Sequence, residues 1–353
     1  MSVEGKPSPA APSGCYLSQR ERQVDPARID RAINPNLSMR REKDLFLKHI
    51  FIINPAAGKQ DKTAEYKSAI EAICGQRNLS YRVEVSRCPG DCARIAREAA
   101  QTGEEMHLYA CGGDGTLNEV VAGAAGFDNA AVTNFAGGSG NDFVKIFDDP
   151  ASFRDLERLL DYEEAEFDLI DCNGDYAVNI CSVGLDARIG TDIATYKRLP
   201  GISGSGAYIL STLVNTCKGI AEHYVVEVEG ERIDSKHTMI CVANGRFYGG
   251  GFNPVPDADP ADGLLDVLLV KKLNLLQIAT VIGKYKKGLY ATLPQLVRHI
   301  RTKHIKIICD KVTSINLDGE LRRAETVDMK ITDKKIRFFY PKGLQWRALT
   351  TVK

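Results

Sequence analysis

Apolar and polar positions follow two spacings along the first half of the chain. Short apolar runs predict four buried β-strands, at residues 50–53, 81–85, 107–111 and 131–135. Apolar positions at helical spacing predict helices between these strands, at residues 64–76, 91–102 and 116–125. Alternating strands and helices are typical of a parallel sheet that is covered by helices on both faces.

Glycine-rich turns follow three of the predicted strands. They are Asn54-Pro55-Ala56-Ala57-Gly58, Gly112-Gly113-Asp114-Gly115 and the turn 137–142. Bare backbone N–H groups at a helix N-terminus favour phosphate, and ligands of such sheets bind beyond the carboxyl ends of the strands. We therefore expect the turns to converge on one nucleotide, with Mg²⁺ between Asp114 and the phosphates. A glycine turn without a ligand is the alternative for any one of them.

The second half changes to short strands separated by turn residues. The predicted strands are 167–172, 176–181, 224–228, 237–243, 264–270, 305–308, 314–317 and 327–331. This spacing predicts a mainly antiparallel β-sandwich, interrupted by helical insertions at 205–218 and 275–300.

Composition narrows the class of protein. The 353 residues carry a formal net charge of zero, which argues against nucleic acid as a partner. No apolar run approaches the roughly 20 residues of a transmembrane helix. Ten cysteines without a disulfide framework, and no secretory leader, favour a reduced, cytoplasmic setting. Residues 1–43 are turn-rich and charged, and we expect them to form a disordered extension.

Two acidic motifs in the second half could carry chemistry. Asp318-Gly319-Glu320 follows a predicted strand, and a carboxylate there could accept the proton of an alcohol during phosphoryl transfer. A plain hairpin turn is the alternative. The acidic, Pro/Gly-rich loop 256–266 could hold a hard cation, or could be a turn without a metal.

A third stretch, 284–303, mixes basic and apolar residues. It could touch an anionic membrane, or it could form an amphipathic helix pair with a solvated basic face.

In order and spacing, the three glycine motifs resemble those of the diacylglycerol kinase catalytic domain family. The resemblance covers residues 48–345 and is strongest to the bacterial lipid kinases, which are related to sphingosine and ceramide kinases. Gly112-Gly113-Asp114-Gly115-Thr116 alone is shared with NAD kinases. The pair Asn141-Asp142 and the C-terminal motifs narrow the resemblance to lipid kinases. Asx residues also cap helices, and for Asp142 a capping role is at least as good an interpretation.

The resemblance implies a fold, a nucleotide and a metal. The fold is an α/β nucleotide-binding domain at 44–166 plus a returning segment 332–345, a β-sandwich domain at 167–331, and an active site in the cleft between them. The implied ATP contacts are Asn54, Pro55, Ala56, Ala57, Gly58, Ser86, Gly112, Gly113, Asp114, Gly115, Thr116, Leu117, Asn118 and Ser139. A structural Mg²⁺ is implied at Asp262 and at the main-chain oxygens of Asp259 and Leu264.

The implied activity is transfer of the γ-phosphoryl group of ATP to a lipid hydroxyl. We expect Asp318 to act as the base, with Glu320 assisting or binding Mg²⁺, and the reverse assignment stays open. Diacylglycerol is the expected acceptor at a membrane surface, which implies a peripheral membrane protein. Sphingosine, ceramide and a soluble acceptor such as NAD are the alternative substrates. A nucleotide-binding regulator without turnover is the alternative function, and the sequence leaves open whether the chain forms a homodimer.

Overall fold

Residues 48–136 form the alternating strands and helices that the apolar pattern predicts. The computed structural model describes residues 47–58, 60–185, 187–188 and 221–346. The elements of this half are β1 (Lys48–Ile53), α1 (Thr63–Gln76), β2 (Tyr81–Val85), α2 (Asp91–Ala100), β3 (Met106–Gly112), α3 (Asp114–Ala124) and β4 (Ala130–Ala136). The strands pair in parallel in the order β4-β3-β1-β2.

The helices pack on this sheet through their apolar faces. Tyr66, Ile70 and Cys74 recur every fourth residue of α1 and form its buried face. Helix α3 lies against α2 at Gly123, where a Cβ atom would come within 2.3 Å of the Ala93 carbonyl oxygen. Only glycine allows so close an approach of the two helices.

The second half is mainly antiparallel. Its elements are α4 (Leu156–Leu160), β5 (Tyr162–Cys172), β6 (Asp175–Ala177), β7 (Ile180–Gly184), β8 (Glu222–Val228), β9 (Glu231–Ala243), β10 (Leu265–Lys271), α5 (Leu275–Tyr285), β11 (Val297–Thr302), β12 (His304–Leu317) and β13 (Glu320–Pro341). Three short 3₁₀ helices lie at Phe143–Ile146, Pro150–Arg154 and Tyr290–Thr292. The antiparallel order is β11-β10-β9-β7-β12-β13, with β8 paired to β12 and β9.

Strand β13 joins the two halves into one hydrogen-bonded sheet. It pairs antiparallel with β12 and β5, and then parallel with β4 at Arg337 and Phe338. The predicted strands 327–331 and 336–340 are therefore two parts of one long strand, with an irregularity between Ile331 and Lys335. The other end of β13, which begins at Glu320, lies close to Gly115, where a Cβ atom would be 3.4 Å from Glu320 Oε1.

The predicted helical insertion 275–300 is wrong beyond its first half. Helix α5 ends at Tyr285, Gly288 adopts a left-handed φ of 68°, and β11 then pairs with β10. The left-handed Gly288 ends the helical path, and pairing with β10 gives the backbone of residues 297–302 its hydrogen-bond partners. The predicted insertion 205–218 and the extension 1–43 lie outside the described residues.

Buried side chains form separate apolar cores in the two halves. One core fills the α/β half around β1, β3 and β4, and two others lie on the two faces of the antiparallel strands. The sequence-based domain boundaries stay a prediction. Among the described residues, no helix has the length and apolar character needed to cross a membrane.

Candidate active site

The glycine loops after β3 and β4 are packed backbone against backbone. The N–H groups of Gly137 and Gly138 both donate to the Gly112 carbonyl, at 2.9 and 3.2 Å. A Cβ atom on Gly138 would lie 2.4 Å from the Cα atom of Gly113. Side chains are excluded from this contact, so the two loops present bare backbone beside the N-terminus of α3.

The loop after β1 is fixed to the same place by a side-chain bond. The Asn54 amide donates to Thr116 Oγ1 at 3.1 Å, and its Oδ1 atom accepts from the Ala56 N–H at 3.0 Å. Gly58, with a φ of 85°, lies where a Cβ atom would be 3.5 Å from the Gly137 carbonyl oxygen. All three glycine turns therefore meet, as predicted. Lys59, which directly follows this turn and is expected from the sequence to meet a β- or γ-phosphate, lies outside the described residues.

Asp114 begins α3 and lies at the centre of this junction. Its Oδ1 atom accepts from the N–H groups of Asp142 and Phe143, while a Cβ atom on Gly140 would lie 2.6 Å from its Oδ2 atom. Burial and then the neighbouring Asp142 carboxylate raise the pKa of Asp114. A divalent cation would relieve this cost, so the donor set fits the Mg²⁺ of a nucleotide complex.

Asp318 belongs to a tight hairpin turn, and its side chain is turned into the protein. Asp318 and Gly319 have φ values of 50° and 95°, as a two-residue turn between paired strands requires. The carboxylate accepts from the backbone N–H groups of Val178, Asn179 and Ile180, at 2.7–3.2 Å. The hairpin alternative is thus correct for the backbone without excluding a role for the side chain.

These three bonds explain why the predicted strand 176–181 is broken. The N–H groups of residues 178–180 point to one carboxylate, so β6 ends at Ala177 and β7 begins at Ile180. Asn118 of α3 adds a fourth donor at 3.2 Å. Burial raises the pKa of Asp318 to about 6, because its cost outweighs the lowering by these hydrogen bonds.

Glu320 stands on the other side of the turn and is exposed. A Cβ atom on Gly115 would lie 3.4 Å from its Oε1 atom, so Glu320 reaches the N-terminus of α3. The two carboxylates of the motif therefore have different surroundings, one enclosed by N–H donors and one in water.

Two adjoining hollows of about 330 and 420 Å³ form the cleft, and they share Asp114, Ser139, Gly140, Asp318 and Gly319. The first is also lined by the glycine-loop residues and carboxylates Asn54, Ala57, Gly58, Gly113, Gly115, Thr116, Glu119, Gly138 and Glu320. The second continues past Leu117, Asp142, Phe143, Val178, Asn179, Tyr248, Gly249, Gly250, Asn316 and Leu321. One hollow is thus walled by backbone and polar groups, and the other includes apolar side chains.

Five of the expected nucleotide contacts do not line either hollow: Pro55, Ala56, Ser86, Gly112 and Asn118. Ser86 is buried at the end of β2, where its N–H donates to the Ile53 carbonyl at 2.9 Å. The Asn118 amide is occupied by Asp318 and by the Tyr176 carbonyl at 3.2 Å. Pro55 and Ala56 belong to the turn after β1, and the carbonyl of Gly112 accepts the hydrogen bonds from the loop after β4.

Asp142 lines the second hollow, although from the sequence helix capping is an equally good interpretation of this residue. Its carboxylate makes no capping bond to the 3₁₀ helix that follows, so that alternative is wrong. Instead Oδ1 accepts from Lys145 Nζ at 2.5 Å, and Oδ2 accepts from the Gly250 N–H at 2.7 Å. Asn141 closes its own loop through bonds to Gly138. Asp142 therefore ties the glycine loops to the loop 247–253, and only its place after the third glycine turn signals this.

The acidic loop expected to hold a structural Mg²⁺ is arranged around an arginine. Asp262 accepts from the Leu264 N–H through Oδ1 at 3.0 Å, and its Oδ2 atom pairs with Arg301. The Asp259 carbonyl accepts from the Asp262 N–H at 3.3 Å. Among the described residues, no three His, Cys, Asp or Glu side chains form a metal-binding group. The metal site at Asp259, Asp262 and Leu264 stays a prediction, and Arg301 competes with it for Asp262.

Comparison with known proteins finds two domain models along this chain. The sequence model of the diacylglycerol kinase catalytic domain matches residues 48–172, and that of the YegS C-terminal NAD kinase beta sandwich-like domain matches residues 179–340. Two relatives carry the name "Putative lipid kinase". The one from Staphylococcus carnosus is 25% identical over 84% of this chain and 97% of its own length. The one from Staphylococcus aureus strain JH9 is 25% identical over 77% and 89%.

A crystal structure of a diacylglycerol kinase from Bacillus anthracis has the same fold. It superposes with a TM-score of 0.61 at 18% identity, over 83% of this chain and 96% of that one. The two sequence models follow one another along the chain: residues 48–172 belong to the diacylglycerol kinase catalytic domain family, and residues 179–340 match the YegS C-terminal domain.

Proposed function

We propose that this protein is a lipid kinase that transfers the γ-phosphoryl group of ATP to the hydroxyl of diacylglycerol, forming phosphatidic acid. The observation that carries the proposal is the shared wall of the two hollows. Asp114, at the glycine loops, and Asp318, enclosed by N–H donors, face the same cleft. A phosphate donor on one side and an alcohol on the other would meet between them.

Among the described residues, which do not include Lys59, the nucleotide side is lined by backbone and by polar or acidic side chains and by no basic side chain. The N–H groups of the loops at Gly58, Gly113 and Gly138, with the dipole of α3, would receive the phosphates of ATP. Asp114 would hold the Mg²⁺ that accompanies them, and that ion supplies neutralisation of phosphate charge. Ser139 would contribute a hydroxyl at the same wall.

Asp318 has the properties of a general base. With a pKa of about 6 it is ionised at pH 7 and yet is a stronger base than an exposed aspartate. The lipid oxygen would form its bond to the γ-phosphorus while the bond between that phosphorus and the β–γ bridging oxygen breaks. The hydroxyl proton would pass to Asp318, and ADP would leave. Glu320, exposed beside Gly115, would assist from the phosphate side.

The acceptor class rests on two supports. The second hollow carries apolar side chains at Leu117, Phe143, Tyr248 and Leu321, which suit the neighbourhood of an acyl chain. The relatives carry the name "Putative lipid kinase", and the structural neighbour is named a diacylglycerol kinase.

The test is transfer of labelled γ-phosphate from ATP to lipids in neutral mixed micelles, with and without Mg²⁺. Diacylglycerol, ceramide, sphingosine and phosphatidylglycerol would be compared, with NAD as a soluble acceptor. We expect labelled phosphatidic acid. A labelled product only with NAD would refute the proposal. Turnover with diacylglycerol that survives both Asp318→Asn and Glu320→Gln would end the base role proposed for this motif.

A further inference from the structure

One long segment of this electrically neutral chain is entirely free of acidic residues. Residues 267–309 contain no Asp or Glu, although the whole chain has 46 of them. The same segment contains nine basic residues: Lys271, Lys272, Lys284, Lys286, Lys287, Arg298, Arg301, Lys303 and Lys306. The segment runs from β10 through α5 and β11 into the start of β12, and β11 is the outermost strand on this side of the sheet. The positive charge of α5 and β11 therefore lies at one edge of the second half.

Helix α5 presents an apolar side chain to water at this edge. A capping box between Asn274 and Gln277 fixes the start of the helix, and Ile278, Val281 and Tyr285 are buried on its inner face. On the outer face, Leu276 is 86% exposed. The exposed positions Leu276, Thr280, Gly283 and Lys287 follow at helical spacing, without an acid among them.

Five lysines flank this outer face without ion-pair partners in the described part of the chain. Lys271 and Lys272 precede α5, and Lys284, Lys286 and Lys287 lie at its end. By contrast, two arginines of the segment are neutralised, Arg298 by Glu231 and Arg301 by Asp262. Leu289, 45% exposed, adds a second apolar side chain directly after the lysines.

The basic end of α5 is bonded to the loop that lines the cleft. The Lys286 carbonyl accepts from the Asn253 N–H at 3.0 Å, and the hydroxyls of Tyr285 and Tyr248 lie 3.2 Å apart. Tyr248 and Gly250 line the second hollow, where the Gly250 N–H donates to Asp142. A membrane bound to α5 would therefore lie close to the second hollow, where the acceptor is proposed to bind.

We infer that the outer face of α5, with its flanking lysines, is the contact surface for an anionic phospholipid membrane. The inference rests on the proposed function, because it names where the lipid-bearing surface meets the protein. Exposed leucines between lysines match a surface with anionic headgroups over an acyl layer.

The test is co-sedimentation of the full chain with vesicles, without ATP. Vesicles of equal parts phosphatidylglycerol and phosphatidylcholine are compared with phosphatidylcholine alone. The double variant Lys272→Glu/Lys287→Glu should lower binding to the anionic vesicles by at least about tenfold, because each lysine near such a surface contributes a severalfold factor. Leu276→Ser should lower it by a few fold. Lys67→Glu/Lys342→Glu, two exposed lysines elsewhere, is the charge-matched control and should bind like the parent.

Phosphotransfer in neutral micelles separates this inference from the proposed function. The Lys272→Glu/Lys287→Glu variant should keep its parent's micellar activity, since both lysines are exposed and Lys286, whose Nζ atom lies over the Phe252 ring of the cleft loop, is left in place. Equal vesicle binding of both double variants, or an equal loss in both, would overturn the α5 assignment, as would a loss of micellar activity in the α5 variant alone. If the parent phosphorylates no lipid, the proposed function fails, and the vesicle experiment still decides whether α5 binds a membrane.

Discussion

The pH dependence of activity should report the ionisation of Asp318. Burial raises the pKa of this carboxyl from 3.8 to about 6, a shift of roughly two units that corresponds to about 3 kcal/mol against the charged form. A base must be unprotonated to accept the lipid proton. Turnover at saturating ATP and diacylglycerol should therefore fall about tenfold per pH unit below pH 6, and level off above it.

Two variants assign this inflection to a residue. Asp318→Asn should lower kcat by about 10²–10⁴, the usual contribution of a general base, while ATP binding is retained. Asparagine suits the test better than alanine, because alanine would leave the N–H groups of residues 178–180 without an acceptor. Glu320→Gln is the matched control, since Glu320 is exposed on the far side of the same turn.

The assay is labelled phosphate transfer in mixed micelles at pH values from about 5 to about 8, a range that brackets the pKa of the proposed base. The γ-phosphate of ATP titrates in a similar range, so the residual activity of Asp318→Asn must be followed too. The reasoning fails if the inflection persists in Asp318→Asn, if parent turnover is flat below pH 6, or if Glu320→Gln loses the inflection.

Three further changes test the surroundings of the cleft. Asn118→Leu removes a hydrogen bond that favours the charged form of Asp318, so the inflection in turnover should move upward by about half a unit to one unit; an unchanged inflection would contradict this. Gly138→Ala forces a Cβ atom against the facing loop and should weaken ATP binding and cost about 1–3 kcal/mol on chemical unfolding. Gly75→Ala, which meets no atom within 4 Å, should leave ATP binding intact; equal effects would disprove the packing argument. Arg301→Gln frees the Asp262 carboxylate, so Mg²⁺ should raise the Tm more in this variant than in the parent, and an equal rise would show that Arg301 does not compete.

Local pattern was sufficient for the elements whose apolar spacing is unambiguous. The first four strands and three helices lie close to their predicted bounds, since each buries one run or one face of side chains. The meeting of the glycine turns also followed from sequence, because parallel strands carry their carboxyl ends to one edge of a sheet. Where two patterns compete, as in residues 286–300, edge pairing with β10 decided against a longer helix.

The environment of each side chain depended on the tertiary structure. Asp318 and Glu320 are two residues apart, yet one accepts four N–H groups and the other stands in water, because β6 and β7 lie on only one side of the turn. The roles of Asp142 and Arg301 arise from partners 108 and 39 residues away along the chain. Local spacing encodes which face of an element is buried. It does not encode which distant backbone group meets a given carboxylate, and that meeting sets its pKa and its chemistry.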